Sequence, residues 1–494
     1  MHNSLPHTLY SAAQVRELDR IAIKEKGIPG YTLMQRAAEF SYNCLKDYFP
    51  EANKLLIVCG GGNNAGDGYV LASLALMDNK QVTVVNVIDT EKLSGDAKTA
   101  YDDFVKAGGH TETFSNELLG NVDVIVDAIF GTGLDRNIEG EIADIITAIN
   151  SQSEPVISID VPSGLHADLG SEMHVAISAD ITPTFIGLKQ GMFTNNGPEH
   201  CGTILFDDLD VPESVYSELG ESSTSTLNSD ELLTLLPLRH LNSHKGHFGH
   251  VLIIGGDAGY IGAARLAAEA ALRVGAGLVS VATRKSHAAQ MNLNRPEIMA
   301  HGVESALDLK PLLKQATVIV IGPGLGQSEW AQQLFACVLE SHLPMVIDAD
   351  ALNLLSSHPL EKKNAVLTPH SGEAARLLNS DTKTIQHDRY ASAKQLHEQY
   401  KATIVLKGCG SIVADHAGNL HVCNAGNPGM ASGGMGDVLS GVIGGLIAQQ
   451  LDIDDATKLG VLVHATAADC AINDGERGLL ASDLFVHIRK LVNP

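Results

Sequence analysis

The densest run of residues able to do chemistry is Asn427-Pro428-Gly429-Met430-Ala431-Ser432-Gly433-Gly434-Met435-Gly436-Asp437, followed by Val438-Leu439-Ser440-Gly441. Glycine-rich backbone at the start of a helix turns several N–H groups toward one point, and such a nest holds a transferring phosphoryl group. An aspartate at its end can take the proton from an attacking hydroxyl. Gly-x-Gly-Asp alone is also what a glycine-rich helix start with a dipole-favoured acid looks like. The flanking Asn-Pro-Gly and Val-Leu-Ser-Gly favour the phosphoryl reading. Lys407-Gly408-Cys409-Gly410-Ser411 can wrap a nucleotide phosphate or an adenine, or form an ordinary hairpin turn. Thr368-Pro369-His370-Ser371-Gly372-Glu373 offers an imidazole to a substrate, and Ile347-Asp348-Ala349-Asp350 offers two acids to a metal or to a helix cap.

The first half carries a second set. Gly60-Gly61-Gly62-Asn63-Asn64-Ala65-Gly66-Asp67-Gly68 lies between an apolar run and a helical one. Its glycines permit positive φ and close backbone approach, and its N–H groups can face an anion. It lacks the Gly-Lys-Ser/Thr of a phosphate-binding P-loop and does not match GxGxxG; a tight turn with no ligand fits it as well. Asp127 precedes Ala128-Ile129-Phe130-Gly131-Thr132-Gly133-Leu134, and Asp160 precedes Val161-Pro162-Ser163-Gly164. Two carboxylates at neighbouring strand ends can bind a cation or move protons. Asn64, Asp127 and Ser163 are oxygen ligands suited to a hard cation, while Asp and Ser are equally at home as helix caps.

The elements that must position these groups alternate between strand and helix. Ser11-Ala12-Ala13-Gln14 has the form of a capping box, and the spacing predicts a helix over residues 11–26. Buried strands are expected at 55–59, 82–88, 122–126 and 156–159, with the glycine run a loop that leads into a helix at 69–77. Asp127 and Asp160 then fall at strand ends. Residues 207–245 read as a linker or irregular lead-in. A second series follows, with strands at 251–254, 278–282, 317–321, 345–347, 365–367 and 403–406, a helix at 263–274, and a hairpin at 412–414 and 420–422. A final hydrophobic helix starts near Asp437. Strand–helix alternation implies right-handed crossovers and mostly parallel sheets, whose ligands sit beyond the carboxyl ends of the strands.

Bulk properties bound the function. The 494 residues exceed one domain, and 48 glycines with only 4% aromatics suit helices lying close on parallel sheets. A formal net charge of −24 argues against a general nucleic-acid binder. Seven scattered cysteines without a CxxC pair fit reduced thiols in a cytoplasmic protein. No signal-like or membrane-spanning apolar run is present.

Three motifs in order, Asn63 to Gly68, Asp127 with Gly131-Thr132-Gly133-Leu134, and Asp160-Val161-Pro162-Ser163-Gly164, resemble the NAD(P)H-hydrate epimerase family over residues 1–215. The resemblance implies a Rossmann-like domain. It implies substrate binding by Asn63, Asn64, Ala65, Gly66, Asp67, Gly131, Thr132, Gly133, Leu134, Asp135, Arg136, Asn137 and Asp160. It also implies a potassium ion on Asn64, Asp127 and Ser163, and a lysine at Lys189. Ala65 departs from the glycine common there. Asp160, Asp127 and Lys189 are the candidates for acid/base; Asp160 is preferred, with Asp127 as ion ligand.

Residues 226–494 resemble the ribokinase-like superfamily and, more narrowly, the ADP/ATP-dependent NAD(P)H-hydrate dehydratases. The resemblance places Ala264, Gly326, His370 and Asp437 at the hydrate. It places Lys407, Gly408, Cys409, Gly410, Ser411 and Gly436 at the adenine nucleotide, with Mg2+. Met435 stands where Thr is frequent. The implied fold is α/β, two three-layer α/β/α domains. The implied protein is a bifunctional isomerase and lyase using ADP, or ATP, and forming a homo-oligomer such as a tetramer. Two other readings compete: a ribokinase-type kinase for a vitamin or sugar hydroxyl with a regulatory nucleotide-binding domain, and a non-catalytic sensor of NAD(P) derivatives.

Overall fold

The computed structural model describes residues 5–220 and 222–493. The chain forms two compact units, Met1–Thr224 and Ser225–Pro494.

In the first unit, seven parallel strands run edge to edge as Thr111–Glu112, Gln81–Asn86, Lys54–Cys59, Val124–Ala128, Val156–Ser158, Ile181–Phe185 and Thr203–Asp207. The first of these in sequence lies centrally. The chain then moves to one side and crosses back to the other. Strand Lys54–Cys59 shows why both faces are covered: Leu55, Ile57 and Cys59 join one apolar cluster, Leu56 and Val58 the other. An uninterrupted apolar strand of this kind needs helices on both sides. Ser11 caps the helix Ala12–Lys24 through the expected capping box, its Oγ accepting from the Gln14 N–H at 3.2 Å and its own N–H donating to Gln14 Oε1 at 2.9 Å.

Two expectations fail here. The glycine run is not a loop through Gly68, because the helix Asn63–Met77 begins at Asn63. None of Gly60, Gly61, Gly62, Gly66 or Gly68 has positive φ. These glycines serve closeness instead: a Cβ on Gly60 would lie 2.0 Å from the Ile129 carbonyl oxygen, and one on Gly68 2.7 Å from the Ala128 Cβ. The strand Val124–Ala128 runs past Asp127, so Asp127 lies inside the sheet, in register with Val58 and Ser158, not at its end.

The second sheet holds ten strands in the order Thr224–Thr226, Leu420–Cys423, Ser411–Ala414, Thr403–Leu406, Ala365–Leu367, Met345–Ile347, Val318–Ile321, His250–Ile254, Leu278–Thr283 and Met299–Gly302, the first of them starting at the unit boundary. From Thr403–Leu406 onward the neighbours are parallel, and the expected hairpin adds an antiparallel flank. The helix Met435–Ala448 is not the last, since Ile453–Ala471 and Leu484–Leu491 follow and pack in the same core. Its glycines let it lie tight: a Cβ on Gly441 would sit 2.1 Å from Ala267 O, and one on Gly444 2.4 Å from Val320 Cγ2. Close packing at both places fixes where Asp437 stands. The stretch read as a linker contains the helices Glu213–Leu219 and Ser229–Thr234.

Candidate active sites

In an open parallel sheet the crevice forms where successive crossovers diverge to opposite sides. In the first unit that point lies between Lys54–Cys59 and Val124–Ala128, and a cavity of about 600 Å³ opens there. Asn63, Asn64, Asp67, Gly131, Thr132, Gly133, Leu134, Asp160 and Lys189 line it. Ala65 and Gly66 face the protein interior, and Asp135, Arg136 and Asn137 are exposed outside the lining. Helical geometry explains the first split, since only one face of the Asn63–Met77 helix can look into the crevice.

Asp160 follows the strand Val156–Ser158 with φ +70, a left-handed conformation held by its N–H bond to Pro183 O at 2.8 Å. Strain of this sort costs on the order of 1–3 kcal/mol and clusters at working sites. Its Oδ1 accepts from Lys189 Nζ and, at 3.3 Å, from Thr184 Oγ1. Lys189 is 1% exposed, and Nζ also donates to Thr184 Oγ1 at 2.9 Å and Phe185 O at 3.1 Å. All three ammonium hydrogens are therefore engaged inside the protein, one of them on Asp160.

Asp127 is fully buried. Its carboxylate accepts from Ser158 Oγ and the Ser163 N–H, each at 2.8 Å, from Ser163 Oγ, and from the Ile129 N–H at 3.2 Å. Burial raises its pKa, and those donors oppose the rise. Asn64 Nδ2 donates to Phe130 O at 2.9 Å, and the Phe130 N–H donates to Ser163 Oγ at 2.8 Å. Asn64 Oδ1 is buried with no hydrogen-bond partner.

Two lining acids escaped the sequence reading, Asp19 and Asp96. Asp19, from the helix Ala12–Lys24, faces the same cavity. Burial, with the charge of Asp160 and against that of Lys189, pushes it up to about 6. Burial, then the charges of Asp160 and Asp19, also holds Asp67 well above the usual carboxylate range. Asp19 follows Leu18, a core residue, and nothing in the local pattern separates it from a solvated helix face.

In the second unit, strand ends collect a different set. Lys407 Nζ donates to Asp348 Oδ1 at 2.8 Å and lies 3.9 Å from Glu373 Oε2. Burial alone would lower the Lys407 pKa, but Asp348 and Glu373 outweigh it and the net shift is upward. Burial would raise Asp348, yet Lys407 and Ser440 hold it below the ordinary range; Ser440 Oγ donates to Asp348 Oδ2 at 2.6 Å. Asp437 lies in the first turn of the helix Met435–Ala448, half-buried. Burial, then the charge of Asp348, pushes it up to about 7. A Cβ on Gly436 would lie 3.2 Å from Lys407 Nζ, so this cation abuts the helix start.

The remaining expected residues lie around that group. Gly326, at φ +70, donates its N–H to Asp350 Oδ2 at 2.8 Å. His370 Nδ1 accepts from the Gly372 N–H at 3.0 Å, capping the helix Ser371–Leu377, while the rest of the ring is largely exposed. Ala264 is 0% exposed and packs beneath Gly256, so its methyl has no surface left for a ligand. Met435 is likewise buried in the core. Gly408 and Gly410 have φ of +152 and +61, as the tight loop requires. That loop is braced by Arg389, 1% exposed, whose Nη2 donates to Leu406 O at 3.2 Å and Gly410 O at 3.3 Å. Arginine is normally a surface residue, so sequence alone gives no sign of this brace.

Comparison with known proteins agrees with this division. Residues 30–191 match the family described as YjeF-related protein N-terminus, and residues 251–490 match NAD(P)H-hydrate dehydratase. The chain is 47% identical over 487 residues to the bifunctional NAD(P)H-hydrate repair enzyme Nnr of Coxiella burnetii, covering 98% of this chain and 99% of that protein. It is 42% identical over 493 residues to the enzyme of the same name from Escherichia coli, covering 99% and 95%. A crystal structure of the ADP/ATP-dependent NAD(P)H-hydrate dehydratase of Bacillus subtilis, co-crystallized with ATP/Mg2+, superposes with a TM-score of 0.50 and 29% identity, over 54% of this chain and 96% of that one. No helix among the described residues is long and apolar enough to cross a membrane. With two sites on two α/β units and full-length relatives of this similarity, the chain belongs to the bifunctional NAD(P)H-hydrate repair enzymes.

Proposed function

We propose that the first unit interconverts the R and S hydrates of NADH and NADPH, and that the second dehydrates the S form at the expense of ADP, giving AMP and phosphate. The observation that carries the reading is Asp437, raised to about 7 at a helix start beside Lys407. That is a base poised near neutrality next to donors for a phosphate.

In the second site, Asp437 takes the proton of the C6 hydroxyl, whose oxygen attacks the terminal phosphate of ADP. The N–H groups of residues 433–436 and the Lys407 ammonium offset the charge that builds on the phosphate. The resulting phosphate ester leaves C6 as a C5 proton is lost, restoring the dihydronicotinamide. Gly326 and His370 would face the hydrate, with Ala264 supporting from below. The loop Lys407-Gly408-Cys409-Gly410-Ser411 and Gly436 would hold the nucleotide. Magnesium would neutralise phosphate charge when bound, and Asp350, whose Oδ2 accepts the Gly326 N–H at 2.8 Å, is the carboxylate we assign to it.

In the first site, the ring nitrogen lone pair expels the hydroxyl once its oxygen is protonated, and water returns to C6. Asp160 is the acid/base carboxylate, held by Lys189. Asn63, Asp67 and the segment 131–134 would hold the nucleotide, with Asp135, Arg136 and Asn137 able to reach it only from outside the cavity. Potassium fits Asn64, Asp127 and Ser163: the orphaned Asn64 Oδ1 calls for a hard, weakly demanding cation. Such an ion would supply a fixed positive charge beside the reacting ring.

Incubating each hydrate epimer with ADP, ATP or neither, and following the return of dihydronicotinamide absorbance, tests the reading. Both epimers should be repaired with ADP, the R form after a lag, and neither without nucleotide. Nucleotide consumed on pyridoxal or hydroxymethylpyrimidine instead would support the kinase reading.

A further inference from the structure

Inverting the configuration at C6 sends the hydroxyl out through one face of the ring and brings water in through the other. Each event moves a proton, and a carboxyl fixed at one point serves one face. Asp160 is so fixed, by Lys189 and Thr184. Asp19 offers a second carboxyl from a different wall of the same cavity. The helix that carries it is seated firmly: its Ala12 N–H donates to Asp168 Oδ1 at 2.6 Å, and Leu18, Ile21 and Ala22 are buried. Arg16, three residues earlier, donates from Nη1 to Thr132 O at 3.1 Å. Residues three apart share a helix face, so the face bearing Asp19 is turned toward segment 131–134. Asp19 has no hydrogen-bond or ion-pair partner among the described residues. A half-buried carboxyl without a partner, aimed into a ligand cavity, is costly unless something uses it. Its upward shift to about 6 leaves it able to hold and release a proton near neutral pH.

We propose that Asp19 is the second catalytic acid/base of the epimerase site, acting on the ring face that Asp160 does not serve. The inference rests on the epimerase reading above. In one direction the Asp19 carboxyl gives its proton to the C6 hydroxyl. The C6–O bond breaks, water leaves, and the ring nitrogen lone pair forms the N1–C6 double bond. Water then adds to the opposite face, its oxygen bonds C6, the electron pair returns to nitrogen, and the proton passes to the Asp160 carboxylate. The reverse direction exchanges the two roles, and both carboxyls reset by proton exchange with solvent.

The test is Asp19→Asn in the full chain, with purified R hydrate and chromatographic separation of the epimers. Epimerisation kcat should fall by about 100-fold with KM within threefold of wild type. Dehydration of the S hydrate with ADP, measured in the same sample, should not change. A kcat within threefold of wild type overturns the proposal, as does a loss carried by KM alone, which would make Asp19 a binding residue. Should Asp19→Asn unfold the first unit, Asp19→Glu decides: a folded Asp19→Glu should keep a measurable fraction of the rate, and a folded but inactive one overturns the proposal. If the wild-type chain itself does not interconvert the epimers, the epimerase reading fails instead.

Discussion

Each half of this chain sets an aspartate and a lysine together at the carboxyl ends of parallel strands, and the two pairs work in opposite senses. In the first unit Lys189 is the buried partner, its three hydrogens spent on Asp160, Thr184 and Phe185, and the carboxylate is what it presents. In the second, Asp348 is 1% exposed and bonded to both Lys407 and Ser440, and the ammonium is what it presents, against the helix start at Gly436. The same ion pair thus presents a negative group in one unit and a positive group at a helix start in the other, which on the proposed reading would face a ring that becomes cationic and a phosphate. Which partner is saturated by its neighbours decides which partner is left to face the cavity or the helix start.

The largest effects should come from exchanging the two aspartates one at a time. Asp437→Asn is expected to lower dehydration by about 10²–10⁴ and leave epimerisation within twofold, and Asp160→Asn should do the converse. Equal loss of both activities in either variant would undo the division into two sites. Asp160→Asn should carry a second signature, because it strands the buried Lys189 cation. The first unit should lose about 3–5 kcal/mol, read by chemical denaturation, whereas Asp437→Asn removes an acid already raised by burial and should not destabilise.

A smaller effect separates the sites by pH. With Asp437 raised to about 7, the protonated form predominates below that pH and only the carboxylate can accept the hydroxyl proton. Dehydration kcat/KM should therefore drop about tenfold per pH unit below 7 and level off above it. A flat profile from pH 5 to 8 would remove Asp437 as the base. The smallest effect concerns scaffolding alone. Ser11→Ala should cost about 1 kcal/mol through the lost cap and leave dehydration untouched.

Much of the sheet framework was legible. Strands 345–347, 365–367 and 403–406 fall where the apolar runs put them, because parallel strands buried on both faces must be apolar throughout. The Ser11 capping box was legible for the same local reason. The glycine run was not: five glycines suggested a loop, while the fold uses them for close contact inside and just before a helix. Asp127 was displaced from a strand end into the sheet because Ala128 extends the strand by pairing with Cys59.

The amino-acid order by itself determined two α/β series, most of their central strands, and the motifs that bear Asp160 and Asp437, while strands such as Ile181–Phe185, Thr203–Asp207 and Met299–Gly302 were not read from it. The features it determined are local properties, carried by periodicity and by runs of a few residues. Tertiary structure decided that Asp19 and Arg16 reach the first cavity, that Lys189 is saturated, and that Arg389 braces the loop at Gly408. These depend on burial and hydrogen-bond saturation, as when Arg16 meets Thr132 or Lys189 meets Asp160, and neither property belongs to a residue until the whole sheet has closed around it.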